Sequence, residues 1–390
     1  MSIDLTIIAS VLFWIAVLLV IHSYLFYPLI VKLWSYLKKR PEVNDRTYVP
    51  TISLLMSVYN EEAIIITKLK NFSKLDYPRD KIEILIGSDC SSDNTVRMIE
   101  SFDSIPIRSY QFSQRRGKAA VLNDLALAAK NEILVFSDAN TFYAPDALSK
   151  MARHFVVSEI GGVCGNLHLN ASARNSGGKG EVAYWRYENS IKEAEGKIRT
   201  TFGATGGIYA LRRMLYRQLP TDKAVTDDLL LPLFAVQQGF RVVYDVLAQG
   251  WEDTTSSTAK ELERKIRIGA ANFNGLVEVL PLMHPKHGFI AFGLFSHKLI
   301  RWIIPFLLIT ICTTSIVLNQ QGGMYHWMFT AQFIFACVAG VGYILDKISR
   351  PVMFFTLPYY FVVANLGLLL GFIRFMNGTQ KAAWSSTRTG

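Results

Sequence analysis

The strongest constraint on this chain is where charge is missing. No Lys, Arg, Asp or Glu occurs from Leu5 to Val31, from Ile303 to Leu318, from Tyr325 to Leu345 or from Val352 to Ile373. About 20 apolar residues in a helix cross the hydrocarbon core of a bilayer. The four runs predict membrane helices around a polar middle. They exclude a freely soluble enzyme, a fibrous chain and a disordered one. No basic residue precedes the first run, and its apolar core is too long for a cleaved leader.

Lys32, Lys38, Lys39 and Arg40 follow that run at once. The positive-inside rule then puts the N-terminus outside and the middle in the cytoplasm of a multi-pass protein of the cell (inner) membrane. Phe289 to Trp302 carries Lys298 and Arg301 and reads as an interfacial helix leading into a span at Ile303–Leu318. The expected parts are a first transmembrane helix in 1–40, a cytoplasmic domain in 50–282, interfacial and transmembrane helices in 289–376 and a tail in 377–390. Counting crossings puts the tail outside, against the pull of Arg374, Lys381 and Arg388, and Pro358 could break the last helix. The formal charge of +10 fits basic residues beside membrane helices and attraction to anionic headgroups. No basic run interleaved with aromatics stands out, so no nucleic-acid partner is expected. Cys90, Cys164, Cys312 and Cys337 fit neither a zinc spacing nor a disulfide framework.

In the middle, Thr51–Val58, Ile82–Ser88, Ile105–Tyr110 and Glu132–Ser137 read as strands. Helices are expected from Asn60 and Glu61 to Phe72, from the polar run after Asp89 to Phe102, and over Gly117–Lys130. Strand and helix alternate, which predicts an α/β domain with a mostly parallel sheet covered on both faces. Such sheets bind ligands beyond the carboxyl ends of their strands. Tyr59-Asn60-Glu61, Asp89 and Asp138-Ala139-Asn140 all fall there. Neither G-x-G-x-x-G nor G-x-x-x-x-G-K-[ST] occurs, which argues against dinucleotide and P-loop sites.

The ordered motifs V-Y-N-E (Val58–Glu61), S-D-C-S-S-D-N-T (Ser88–Thr95), G-K-A-A-V-L-N (Gly117–Asn123), S-D-A-N (Ser137–Asn140) and T-D-D (Thr226–Asp228) resemble those of a family-2 glycosyltransferase with a GT-A fold. With the flanking apolar helices, the chain resembles the cellulose, chitin and hyaluronan synthase-like branch over residues 50–280. The resemblance implies that Tyr59, Glu61, Asp89 and Lys118 hold the nucleoside and diphosphate of a nucleotide-sugar donor, and that this donor is a UDP-sugar. It implies that Asp138 and Asn140 hold Mg²⁺ or Mn²⁺, and that Asp228, preceded by Asp227, is the base. The acceptor would be a glycan or a lipid-linked molecule.

The chemistry fits these roles. Negative charge develops on a departing diphosphate, and a divalent cation held by hard oxygen ligands stabilises it. The family usually has a second Asp where this chain has Asn140. An acceptor hydroxyl loses a proton to a carboxylate as it attacks, and in-line attack inverts the anomeric centre. A capped turn could also place Asp138, and a helix start could place the Asp227–Asp228 pair. Gly203–Gly207 reads as a loop beside the acceptor, with Gly206 approaching it closely, or as a simple turn. Gly180–Thr200 reads as an interfacial helix or a helix of the domain core. Processive relatives carry Q-x-x-R-W; here Arg264, Arg267 and Ile268 stand in that frame. Arg267 suits a diphosphate, but Ile268 removes the Trp that would stack on a sugar. Trp251, Trp302 or Trp384 could replace it. Short products are therefore expected, with an export partner or a homo-oligomer serving any longer glycan. Rival readings are a polyprenyl-phosphate glycosyltransferase adding one sugar, a transporter with a regulatory nucleotide-binding domain, and a domain that binds nucleotide without catalysis. The transporter reading lacks charge at the centres of its spans. The retained Asp138 and Asp228 argue against the last.

Overall fold

The computed structural model describes residues 5–38, 48–170, 176–254, 257–350 and 352–382. In chain order, the elements are as follows. An apolar helix α1 (Leu5–Tyr36) comes first. Then come β1 (Ile52–Val58), α2 (Ile65–Ser73), β2 (Ile82–Ser88), α3 (Thr95–Glu100), β3 (Arg108–Gln111), α4 (Lys118–Ala128) and β4 (Ile133–Ser137). The domain continues with β5 (Phe142–Tyr143), α5 (Ala147–Ala152), β6 (Ile160–Asn170), α6 (Ser176–Ile198), β7 (Tyr209–Arg212), α7 (Asp227–Gln237), β8 (Arg241–Asp253) and α8 (Thr258–Val279). Three apolar helices follow: α9 (Phe289–Gln321), α10 (Gly323–Lys347) and α11 (Met353–Met376). Helices α1, α9, α10 and α11 are each long and apolar enough to cross a membrane.

The eight strands form one sheet in the order β3-β2-β1-β4-β7-β6-β8-β5. Apolar alternation explains how the sheet is covered. On one face Leu55, Leu85, Leu134 and Phe136 pack against Val121 and Leu125 of α4 and the Leu229–Val236 stretch of α7. On the other, Leu54, Met56, Ile84, Ile86 and Val135 meet Ile65, Leu69 and Phe72 of α2 and Leu148 of α5. Both faces are buried, so the strands read as continuous apolar runs. Among the described residues the sheet is mixed, with four parallel strand pairings, β6 with β8 among them, and three antiparallel ones. Strands β1 to β4 are parallel, but β7 joins β4 and β6 antiparallel. In the second half β6 and β8 are again parallel, and β7 runs between β4 and β6 in the opposite sense.

Other boundaries moved for local reasons. The first helix of the domain begins at Ile65, not at Asn60. Asn60 has φ of 52° and Cys90 has φ of 62°, left-handed values that a helix cannot contain. The third strand is Arg108–Gln111, later than expected. Residues Phe289–Trp302 do not form a separate interfacial helix. They continue without a break into the span, through a π-helical turn at Leu294–Leu299.

The last helix is the largest departure. Helix α11 lies along α8, with small residues letting the backbones meet. A methyl added at Gly371 would stand 2.7 Å from the Ile266 carbonyl, and one at Gly269 would stand 3.4 Å from the Gly367 carbonyl. Phe273 packs between Phe372 and Phe375. Beyond the helix, Ala382 lines the cavity at the carboxyl ends of the strands. The described start of the tail, through Ala382, therefore lies beside the sheet domain. Trp384 and Arg388 lie outside the described residues. Gly371→Leu should lower stability by roughly 1–3 kcal/mol through overpacking. Gly340→Leu on α10, where nothing lies within 4 Å, should change it by less than about 0.5 kcal/mol. Unfolding midpoints of both variants in one detergent check this.

Candidate active site

Four strand ends and one helix start build the site. The loop after β1 is tied to the loop after β2: the Asn60 amide donates to Ser91 Oγ at 3.1 Å, and the Ser92 amide donates to Asn60 Oδ1 at 2.9 Å. Left-handed backbone at both Asn60 and Cys90 marks strained loops held by such lacing. The Glu61 amide donates to Thr95 Oγ1 at 2.8 Å. Asp89 is buried and accepts from the amides of Arg116 and Gly117 at 2.8 and 2.9 Å. Gly117, at φ of 88°, permits that turn. Asp89 thereby fixes the start of α4 and the aim of its first residue, Lys118. Tyr59 lies under the Arg115 guanidinium, 3.5 Å from ring centre to Cζ.

Lys118 is the centre of the charge arrangement. Its ammonium lies 2.7 Å from Asp138 Oδ1 and 3.0 Å from Asp227 Oδ1. Burial alone would lower its pKa, but Asp138 and Asp227 outweigh this and raise it. Asp227 also accepts from the Tyr209 hydroxyl at 2.6 Å. Its carboxylate is thus engaged on both oxygens. Asp228, next along the first turn of α7, points elsewhere. A methyl built on Gly206 would stand 3.3 Å from Asp228 Oδ2 and 3.7 Å from Asp138 Oδ2. Gly206 is the bare floor between two carboxylates. Burial first, and then Asp227, push the Asp228 carboxyl up to about 6. Such a group accepts a proton near neutral pH. Next to this floor, Gly207 packs so closely on Thr141 that any side chain there would collide with it.

These residues border one cavity of about 360 Å³, and Tyr59, Glu61, Asp89, Lys118, Asp138, Asn140, Gly206, Asp227, Asp228, Arg264 and Arg267 all line it. The two arginines differ in role. Arg264 is bound to Glu181 and to Glu261, so it locks α8 to α6. Burial first and then Arg264 lower the pKa of Arg267, to about 10, and Asp138 and Asp228 act on it in the opposite sense. That places Arg267 beside the carboxylates. Ile268 lines the cavity, as do Trp302 and Trp185. Trp251 instead stacks on His168 with ring centres 5.7 Å apart.

Sequence reasoning missed three contributors. Glu252, at the end of β8, accepts from Asn140 Nδ2 at 2.7 Å. Lys192 is buried and donates to the Ala204 carbonyl and Thr205 Oγ1. Glu188, His297, Lys298 and Arg301 form a buried ionic cluster at the apolar helices. Each sits far in sequence from the strand-end motifs, so no spacing signal marked them. Among the described residues, no group of three or more His, Cys, Asp and Glu side chains is arranged as a metal cage. Mg²⁺ and Mn²⁺ need none, because one or two carboxylates complete their shell with substrate phosphates and water. Lys118 takes Asp138 Oδ1, and Oδ2 turns toward the Gly206 floor. With the Asn140 amide oxygen and the neighbouring Glu252, these hard donors fit a divalent cation.

Comparison with known proteins agrees with this geometry. Residues 53–219 match the model of glycosyl transferase family 2. The chain is 26% identical over 191 residues to a beta-monoglucosyldiacylglycerol synthase of Trichormus variabilis, covering 46% of this chain and 40% of that protein. It is 28% identical over 226 residues to a poly-beta-1,6-N-acetyl-D-glucosamine synthase of Staphylococcus aureus, covering 55% and 52%. The chain thus spans about half the length of these relatives. The solved structure of a mannosyltransferase from Pyrobaculum calidifontis, in complex with GDP-Man and Mn²⁺, superposes with a TM-score of 0.67 at 22% identity. That likeness covers 94% of this chain and 99% of that one, so the fold is shared through the apolar helices. The motif order and the GT-A-like sheet agree with the match of residues 53–219 to glycosyl transferase family 2.

Proposed function

We propose that the protein is a membrane-bound inverting glycosyltransferase, with its catalytic domain on the cytoplasmic face. It moves a sugar from a UDP-sugar to a hydroxyl of a glycan or lipid-linked acceptor in surface or exopolysaccharide assembly. The observation that carries this reading is the meeting of Asp228 and Asp138 at the bare floor of Gly206. It leaves room for a sugar between a proton acceptor and the diphosphate end of the site. Asp228 takes the acceptor proton as the new bond to C1 forms. The bond from C1 to the diphosphate oxygen breaks, and that electron pair leaves with the nucleotide. Lys118 and Arg267 draw the departing negative charge. A divalent cation bound at Asp138 and Asn140 would stabilise the same charge. The test is a panel of UDP- and GDP-sugars offered to the purified protein, with product masses measured.

Asp228→Asn keeps shape but removes basicity. It should lower turnover by roughly 10²–10⁴-fold while nucleotide affinity stays near wild type. In the wild-type protein kcat/KM should rise with pH through about 6, where the Asp228 carboxyl ionises, and level off above. Near wild-type turnover in the variant would move the base to another residue. Excess EDTA should abolish transfer, and Asp138→Ala should weaken nucleoside diphosphate binding; full activity in EDTA would make Asp138 a purely structural acid. Product sizing tests chain length. Helix α11 packs along α8, and Ile268 replaces the stacking Trp. Short products or single additions are expected, and polymers of many tens of sugars made without release would contradict this.

A further inference from the structure

The cavity does not end at the donor residues. It extends to α9, where His297, Lys298, Arg301 and Trp302 line it opposite Trp185 and Glu188 of α6. The π-helical turn of α9 contains His297 and Lys298 and ends just before Ile300. Such turns are rare and are frequent at functional sites. Three basic side chains crowd two carboxylates here. Glu188 accepts from Lys298 Nζ at 3.1 Å, from Arg301 Nη1 at 2.6 Å and from His297 Nε2 at 3.0 Å. Glu195 faces the other side of the His297 ring, with Nδ1 at 2.6 Å, and also accepts from the Tyr27 hydroxyl at 2.6 Å. If Glu195 is assigned to His297, Glu188 alone answers two permanent cations.

Arg301 shows where the excess lies. It is 6% exposed, and its Nε and Nη2 have no hydrogen-bond partner among the described residues. The rings of Tyr24 and Tyr187 flank its guanidinium at 5.6 and 5.5 Å. The Tyr187 hydroxyl donates to the Tyr24 carbonyl instead. Buried unpartnered donors are costly, and on a cation more so. Two free N–H groups on a held, planar fork match two oxygens of an anion. Within this one cavity the carboxylate bonded to Arg301 is Glu188, not Asp138 or Asp228 of the donor end. Arg301 also lies on an apolar span, beside Tyr24 of a second one.

We propose that Arg301 and Lys298 form an acceptor subsite that binds the phosphate of a membrane lipid. The lipid's hydrocarbon chain stays among the apolar helices, and a hydroxyl borne beyond the phosphate reaches Asp228. This rests on the glycosyltransferase reading and narrows its acceptor to a phosphate-bearing lipid. A neutral glycan or diacylglycerol could accept a hydrogen bond from Arg301 but would leave its excess charge buried. A phosphate removes both deficits.

Binding of a defined probe tests this without knowing the natural acceptor. The purified full chain is titrated with phosphatidic acid, and with diacylglycerol of the same acyl chains, and followed by native mass spectrometry. Phosphatidic acid should bind at least roughly 10-fold tighter, and Arg301→Gln should erase that preference, as loss of a buried charge contact does. Lys298→Gln should weaken it in a protein whose fold is less at risk, and Arg301→Lys should restore part of it. Lys347→Gln, a charge loss at the end of α10, should leave it intact. Equal binding of the two lipids would overturn the proposal. So would a preference untouched by both Arg301→Gln and Lys298→Gln, or inorganic phosphate binding as tightly as the lipid. Nucleoside diphosphate binding is measured on the same samples. If Arg301→Gln weakens it as much as lipid binding, the subsite belongs to the donor and the proposal falls. If the wild type binds phosphatidic acid but neither binds nor turns over any nucleotide sugar, the glycosyltransferase reading fails and the phosphate site stands.

Discussion

Everything at the centre of this molecule depends on the Lys118 ammonium between Asp138 and Asp227. Three carboxylates share a small buried volume, and like charges at such range cannot all stay ionised without a cation. Lys118 compensates two of them, and Tyr209 fixes the geometry of Asp227. Asp228 is left with burial and a like charge beside it, and its proton affinity rises. One ion pair thus divides adjacent acids of one helical turn into a held anion and a carboxyl of raised proton affinity. The same pair keeps α4, β4 and α7 in register around the floor of Gly206.

The donor end is made rigid by indirect means. Asp89 binds the backbone that launches Lys118, and the Asn60 and Cys90 turns are laced together through Ser91 and Ser92. Behind Asp138, the fully buried Lys68 donates to Ser137 Oγ at 2.8 Å and to the Thr141 carbonyl. Burial lowers its pKa to about 7, against the pull of Asp138. These residues need not touch a ligand to matter. They hold the strand-end loops where a one-ångström error would be felt.

The membrane end is joined to the catalytic end by charge as well as by packing. Helix α6 contributes Glu188 and Glu195 to cations on α9 and a hydroxyl on α1, and Glu181 to Arg264 on α8. Burial would raise the Glu188 carboxyl, but His297, Lys298 and Arg301 hold it well below its usual range. The apolar helices are therefore keyed to the domain by ion pairs that water cannot easily screen. Small residues on α8 and α11 complete the join by letting their backbones meet.

The donor half was legible in the sequence because its signals are local. Strand runs such as Ile82–Ser88 end at acids, and an apolar stretch followed by Asp138 needs no distant partner to be recognised. The four uncharged runs were legible for the same reason, since hydrocarbon thickness is a property of consecutive residues. Tertiary structure alone decided the rest. Asp227 and Asp228 are indistinguishable as letters and differ only because Lys118 and Tyr209 reach one of them. Glu252 meets Asn140 across 112 positions, and Arg301 meets Glu188 across 113. Helix α11 meets α8 through glycines of both helices, a contact no hydropathy count contains. Local pattern sets which segments are strands, helices and strand-end acids. The energy of burying charge, which depends on every neighbour in space, sets which of those acids is held as an anion and which has its proton affinity raised.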